Sequence, residues 1–224
     1  MLTAHSLCWL CRLPLALAHW GFCSRCARML LYPHPLCPRC GLPSASTTLP
    51  CGRCLQKPPP WQQLVAVNDY IAPLSQLVQQ FKSSGKPELA NALARLLLWR
   101  AMLNAKGSQP DGIISVPLWQ KRQWRRGFNQ SDLLAAALSR WLGCQWYARA
   151  LRRTRATPVQ HHLSARLRKY NLKNAFHLEF DVRGLHIVVV DDVVTTGSTV
   201  AEISRLLLRN GAAKVEVWCL CRTL

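Results

Sequence analysis

The chain has 224 residues, half of them apolar, and carries 29 Lys and Arg against 10 Asp and Glu, a formal net charge of +19. That length buries a sizeable core as one domain with an appendage or as two domains, and the apolar share excludes a disordered chain. The positive excess points to a polyanionic partner, with nucleic acid first, phosphorylated small molecules second and anionic membrane third; a basic surface that merely keeps the protein soluble is the alternative.

The charge is concentrated. Residues 1–68 contain no acid, and between Gly112 and Leu178 thirteen Lys and Arg accompany a single acid, Asp132. Concentration of this kind favours a binding surface over plain solubility. No stretch has the unbroken apolar length of a membrane span. The N-terminal stretch MLTAHSLCWLCRLPLALAHWGFC lacks a positive leading region and is interrupted by Arg12. It is read as neither a signal peptide nor an anchor, and a cytoplasmic location is expected.

Eight of the eleven cysteines fall in four CxxC pairs at nearly equal intervals: Cys8/Cys11, Cys23/Cys26, Cys37/Cys40 and Cys51/Cys54. A CxxC turn delivers two thiolates from one knuckle, so four knuckles supply two tetrahedral four-cysteine zinc sites. Disulfides would suit an exported chain, and a redox centre needs only one pair. The pairs could coordinate in order or in an interleaved cross-brace, and His5, His19 or His34 could substitute as a ligand. In each case the metal is structural, because a full set of protein ligands leaves no open position. LQKPPPWQQ, residues 55–63, then reads as an extended linker. The expected division is a Cys-rich zinc-binding module over residues 1–58 and a second domain over 59–224.

From residue 64 the pattern is α/β. A strand over 64–70 is followed by a helix opening near Pro87, with Leu89, Leu93, Leu96, Leu97 and Leu103 at helical spacing. Next come a short strand over 112–118, a basic loop over 119–129, and a helix starting near a Ser131 cap and stopping at Gly143. A buried strand over 185–190, a helix from Ser198 to Gly211 and a final strand KVEVWCLC complete the chain. Alternating strands and helices predict a mostly parallel sheet with helices on both faces, and ligand sites in such sheets lie beyond the carboxyl ends of the strands.

At one such end stands IVVVDDVVTTGST, residues 187–199. Thr195, Thr196, Gly197, Ser198 and Thr199 form a turn into a helix N-terminus, where unpaired N–H groups and hydroxyls make a phosphate cradle. Asp191 and Asp192 beside it would repel a simple phosphate. They suit a sugar phosphate, whose hydroxyls donate to carboxylates while the turn holds the phosphate.

This stretch resembles the 5-phosphoribosyl-1-pyrophosphate (PRPP) motif of type I phosphoribosyltransferases at every position. With the CxxC pairs, FKSSG (81–85), VPL...R..RRGFNQS (116–131) and T..Q..L..R....N....F (157–176), the whole chain is similar to the ComF/GntX family. The resemblance implies a type I phosphoribosyltransferase-like parallel sheet behind a small zinc module. It implies that Asp191 and Asp192 bind ribose hydroxyls and that Thr195 to Thr199 bind the 5-phosphate. The pyrophosphate loop would be Pro117 to Gly127, with Lys121, Arg122, Arg125 and Arg126 as charge partners and Gly127 at its end. Mg2+ would arrive with the pyrophosphate. Residues 152–171 match the position of a mobile loop, where His161 or His162 could assist. If the chain is an enzyme, it would displace pyrophosphate at the anomeric carbon through an oxocarbenium-like state; no catalytic residue or acceptor is identified.

The resemblance also implies handling of DNA, through uptake of single strands in competence or use of extracellular DNA as a nutrient. The basic segment from Lys121 to Lys173 agrees, being interleaved with Trp124, Phe128, Trp141, Trp146, Tyr147 and Tyr170, a mixture suited to single-stranded DNA, although Trp141 is expected in the core. Three readings stand: a DNA-utilization protein that binds single-stranded DNA and PRPP, with a protein partner in the DNA-uptake machinery also expected; an active phosphoribosyltransferase of unknown acceptor; and a PRPP-sensing scaffold that joins a protein partner through its zinc module.

Overall fold

The structure, a computed structural model, describes residues 6–31, 35–83, 86–104, 109–118, 127–154 and 175–223. The cysteine-rich region holds a short 3-10 turn, Ala18–Trp20, and two short helices, α1 (Ser24–Leu30) and α2 (Gly52–Gln56). There follow β1 (Gln63–Asp69), α3 (Leu74–Ser83), α4 (Leu89–Asn104), β2 (Gly112–Ser115), α5 (Gln130–Leu142), β3 (Gln145–Trp146), β4 (Leu151–Arg153), β5 (Phe176–Leu178), β6 (His186–Val194), α6 (Ser198–Arg209) and β7 (Lys214–Arg222).

Five strands form a parallel sheet in the order β1-β7-β6-β2-β3. β6 runs centrally, paired with β7 from His186↔Lys214 to Val194↔Arg222 and with β2 from Gly112↔Ile187 to Ser115↔Val190. The apolar run of β6 is buried on both faces because alternate residues point to opposite sides. Val188 and Val190 join one core with α3, α4 and α5, whereas Ile187 and Val189 join a second core beneath α6. The expected parallel sheet covered on both faces is therefore present.

Strands β4 and β5 pair antiparallel apart from the main sheet and bracket residues 155–174. No helix among the described residues is long and apolar enough to cross a membrane.

Details of the sequence reading change. The helix α3 was not expected. The first turn of α4 follows Pro87 rather than containing it, with the Ala90 amide donating to the Pro87 carbonyl at 2.9 Å. Helix α5 is capped by Asn129, not Ser131: the Asn129 side chain accepts from the Ser131 amide at 3.2 Å. Its stop at Gly143, in the left-handed conformation at φ 66°, is as expected.

Candidate functional site

Strand β2 leads into α5 on one face of the sheet and β6 into α6 on the other, so a crevice opens at the carboxyl ends of β2 and β6. The acids lie there, but not at a strand terminus. β6 continues through both acids, with Val193 and Val194 pairing with Cys221 and Arg222, so sheet hydrogen bonds hold the acidic backbone rigidly.

Asp191 Oδ1 accepts from the Ser131 hydroxyl at 3.3 Å and from the Asp192 amide at 2.9 Å. Asp192 Oδ2 is 3.1 Å from Lys82 Nζ at the end of α3. Burial, reinforced by the neighbouring Asp192 charge, pushes the Asp191 carboxyl up to about 7, against the pull of the Asp192 amide, Lys82 and Ser131. A buried network backs the pair. Asp132 Oδ1 accepts from Ser115 Oγ at 2.5 Å and from Asn129 Nδ2 at 2.8 Å, and Asn129 Nδ2 also donates to the Val116 carbonyl at 3.1 Å. Val116 in turn donates to the Val190 carbonyl at 2.9 Å. Val116 and Asn129, which flank the expected pyrophosphate loop of Pro117 to Gly127, are thereby tied to each other and to β6 just before the acids.

The phosphate turn follows directly. Gly197 takes φ 75°, ψ 5° and precedes α6 without a side-chain cap of its own; the Ser198 amide makes only a long 3.4 Å contact to Thr196 Oγ1, which an anion at the helix N-terminus can replace. Thr196 Oγ1 and Ser198 Oγ lie 2.9 Å apart. A Cβ at Gly197 would stand 3.2 Å from the Trp61 ring in addition to its unfavourable φ, so glycine is required there. A cleft of about 670 Å3 opens beside the turn, lined by Arg53, Lys57, Trp61, Thr196, Ser198 and Arg222 among others.

The eight cysteines form two groups, Cys8/Cys11/Cys23/Cys26 and Cys37/Cys40/Cys51/Cys54, each with all four sulfurs within 4.8 Å of one another. The pairs thus group in chain order, not as a cross-brace. Each group is built alike, from a knuckle closed by a Leu7↔Pro14 or Leu36↔Pro43 bridge and a short helix beginning after Cys23 or Cys51. The chemistry of the donors fits a divalent metal. The Cys23 amide donates to Cys8 Sγ at 3.4 Å and the Cys51 amide to Cys37 Sγ at 3.2 Å. Burial raises the Cys8 and Cys37 thiols, but several backbone N–H groups outweigh it and bring them to about 6 and about 7. Burial and neighbouring sulfurs hold Cys26 and Cys54 well above the ordinary thiol range, the cost a bound cation would remove. Both groups could hold zinc.

The structure brings together Asp191, Asp192, Thr195, Thr196, Gly197, Ser198 and Thr199. Lys121, Arg122, Arg125 and Arg126 lie outside the described residues, as do His161, His162, Trp124 and Tyr170; Gly127 is described, at φ 78°. Four of the aromatic residues that the basic segment offered for stacking are engaged internally. Phe128 lies 6.0 Å from Phe81, Tyr147 stacks on Phe180 at 4.0 Å, Arg95 covers Trp141, and Trp146 packs on the core. The sequence reading missed Lys82, Trp61 and Arg222 as neighbours of the site. Lys82 does fall within FKSSG, and that lone basic residue was its one available signal.

A family model described as phosphoribosyl transferase domain matches residues 130–224, the span holding α5, β6, α6 and β7. The DNA utilization protein YhgH of Salmonella typhimurium is 66% identical, covering 100% of both chains. Competence protein F of Haemophilus influenzae is 42% identical over 96% of each chain. Competence protein ComFC of Bacillus subtilis is 27% identical over 84% of this chain and 78% of its own. With full-length relatives at the first two of these identities, the chain belongs to the ComF family of DNA utilization and competence proteins.

Proposed function

We propose that the chain serves in DNA uptake and utilization and binds PRPP with Mg2+ at the carboxyl end of β6. The observation that carries the phosphoribosyl site is the adjacency of two strand-held carboxylates, Asp191 and Asp192, to the hydroxyl-lined helix N-terminus behind Gly197. Vicinal ribose hydroxyls donate to the carboxylates, Lys82 balances Asp192, and the amides of Ser198 and Thr199 receive the 5-phosphate. Mg2+ comes with the pyrophosphate, whose cationic partners are Lys121, Arg122 and Arg126. Two structural zinc ions occupy the cysteine groups. Under this reading residues 1–58 are the zinc module, residues 59–224 the phosphoribosyl-binding domain, and the thiol-rich chain works in the reducing cytoplasm.

The DNA role is supported by the names of the relatives and by the basic segment. A DNA strand has no 2′-hydroxyl and its internal 3′-oxygens are esterified, so DNA does not satisfy Asp191 and Asp192. Single-stranded DNA therefore belongs on the basic segment from Lys121 to Lys173, and the carboxylate site takes a free phosphoribosyl ligand.

Calorimetric titration of the zinc-loaded protein with PRPP and Mg2+ tests the site. Saturable binding is expected in the wild type, with at least a tenfold loss in Asp191→Asn/Asp192→Asn at unchanged folding. Absence of binding by the folded wild type would leave the motif as scaffold.

A further inference from the structure

The two cysteine groups differ in what they touch. The first leans on α4: Gly21 abuts Ala92, and Arg95 donates to the His19 carbonyl at 3.2 Å. The second is joined to the phosphate turn by two short chains of contacts, both starting from the carbonyls inside the Cys37–Cys40 knuckle.

Arg222, only 5% exposed, starts the first chain. Its Nε donates to the Cys40 carbonyl at 2.9 Å, while Nη1 donates to the Val194 carbonyl at 2.9 Å and the Thr223 carbonyl at 2.8 Å. Val194 is the residue immediately before Thr195. A buried guanidinium so placed bridges the metal knuckle to the root of the turn, and its planar fork holds all three acceptors in one geometry. Trp61, 4% exposed, forms the second chain. Its Nε1 donates to the Arg39 carbonyl at 2.6 Å, and its ring lies against Gly197. The knuckle is further pinned to the start of β1, with Arg39 donating to the carbonyls of Gln62 and Pro59 at 3.1 Å and the Leu64 amide donating to the Pro38 carbonyl at 3.0 Å.

We propose that metal in the Cys37/Cys40/Cys51/Cys54 group sets the shape of the phosphate turn, with Arg222 and Trp61 as the positioning residues that transmit it. Without metal the knuckle loses the cross-link between its own cysteines and Cys51/Cys54, and the ties through Leu64 and Arg39 hold its outer side but not the two inward carbonyls of Arg39 and Cys40. Arg222 and Trp61 then lose an acceptor, and the Val194–Val200 backbone is free to leave the anion-binding conformation. The inference deepens the phosphoribosyl reading and names a dependence of that same site on bound metal.

The test combines PRPP titration with hydrogen exchange of the 194–200 amides in the full chain. Cys51→Ser, at a half-buried ligand, is expected to hold one zinc equivalent fewer, to exchange these amides at least tenfold faster and to bind PRPP at least tenfold more weakly. Arg222→Lys keeps every thiol and both zinc equivalents but cannot reach three carbonyls; the same faster exchange is expected, and it decides the matter if Cys51→Ser does not fold. Phe22→Leu, which loosens the packing under the first group, should leave exchange at the turn and affinity within twofold of wild type. Wild-type protection of the turn in both Cys51→Ser and Arg222→Lys overturns the proposal. The exchange arm reads the coupling with no ligand present. Failure of the wild type to bind PRPP would therefore count against the phosphoribosyl reading alone.

Discussion

Asp191 carries the most consequential chemistry of any single residue here. In the unfolded chain its proton leaves near the ordinary carboxylate value of 3.8, whereas burial and Asp192 raise it to about 7 in the fold. The folded state therefore holds the proton more tightly, and the contribution of this residue to stability declines as pH rises through that window. Replacing Asp191 by Asn removes the decline. The thermal midpoint of Asp191→Asn relative to wild type is expected to climb between pH 4 and pH 7 and to level off above; an unchanging difference would mean that the carboxyl is ionised throughout. Ribose hydroxyls and Mg2+ favour the carboxylate, so PRPP binding near neutral pH is expected to release a proton, seen as a dependence of the binding heat on buffer. Arg12 shows a different constraint. It takes φ 62° at the position where the second knuckle has Gly41 at φ 68°, so the two repeats share a left-handed turn and only one uses the residue that adopts it freely.

At the level of elements, α5 connects the sheet to the site through its cap. Asn129 satisfies the Ser131 amide, the Val116 carbonyl and Asp132 at once. Asn129→Ala is expected to cost about 1–2 kcal/mol in urea unfolding, a cap loss at the upper end of the usual range because the side chain is buried. It should also weaken PRPP binding, since Asn129, just after the expected pyrophosphate loop, loses its tie to Val116, just before it. A loss below about 0.5 kcal/mol would show that Ser131 takes over as the cap. The role of Ser131 in the structure is instead to donate to Asp191. The unexpected helix α3 has a comparable effect: its last turn, where FKSSG begins, carries Lys82 to Asp192, so a short helix supplies the cation beside the acidic pair.

Across the whole molecule, the cysteine-rich region is part of the fold's core and not a loosely tethered appendage. Cys8, Phe22 and Leu30 share one hydrophobic cluster with Leu89, Leu93, Leu96 and Leu97 of α4. Buried Arg100 ties the region to the sheet, donating to the Leu31 carbonyl at 2.9 Å and the Val67 carbonyl at 2.8 Å. Phe22 is 1% exposed, and Phe22→Ala is expected to cost roughly 3–5 kcal/mol. Because that core is shared, chelation of the metal should lower the unfolding midpoint of the whole chain in one transition, read by circular dichroism on the helices of the α/β part. Two separate transitions, with the helical signal unmoved by the chelator, would contradict this.

The sequence by itself determined the parallel α/β plan, the eight paired cysteines that could hold metal and the acid-pair and threonine turn. Each is a local pattern: an unbroken apolar run along Ile187 to Val190, CxxC knuckles, and a glycine where the backbone must turn into a helix. Only the tertiary structure decided the rest. The grouping of the knuckles in chain order, the pairing of Lys82 with Asp192, the donation of Ser131 to Asp191 and the bridge from Arg222 to Cys40 all join residues distant in the chain. Cys40 and Arg222 are 182 positions apart. Such contacts depend on which strand lies beside which and on which buried carbonyl lacks a donor, and neither property is written in any local stretch of residues.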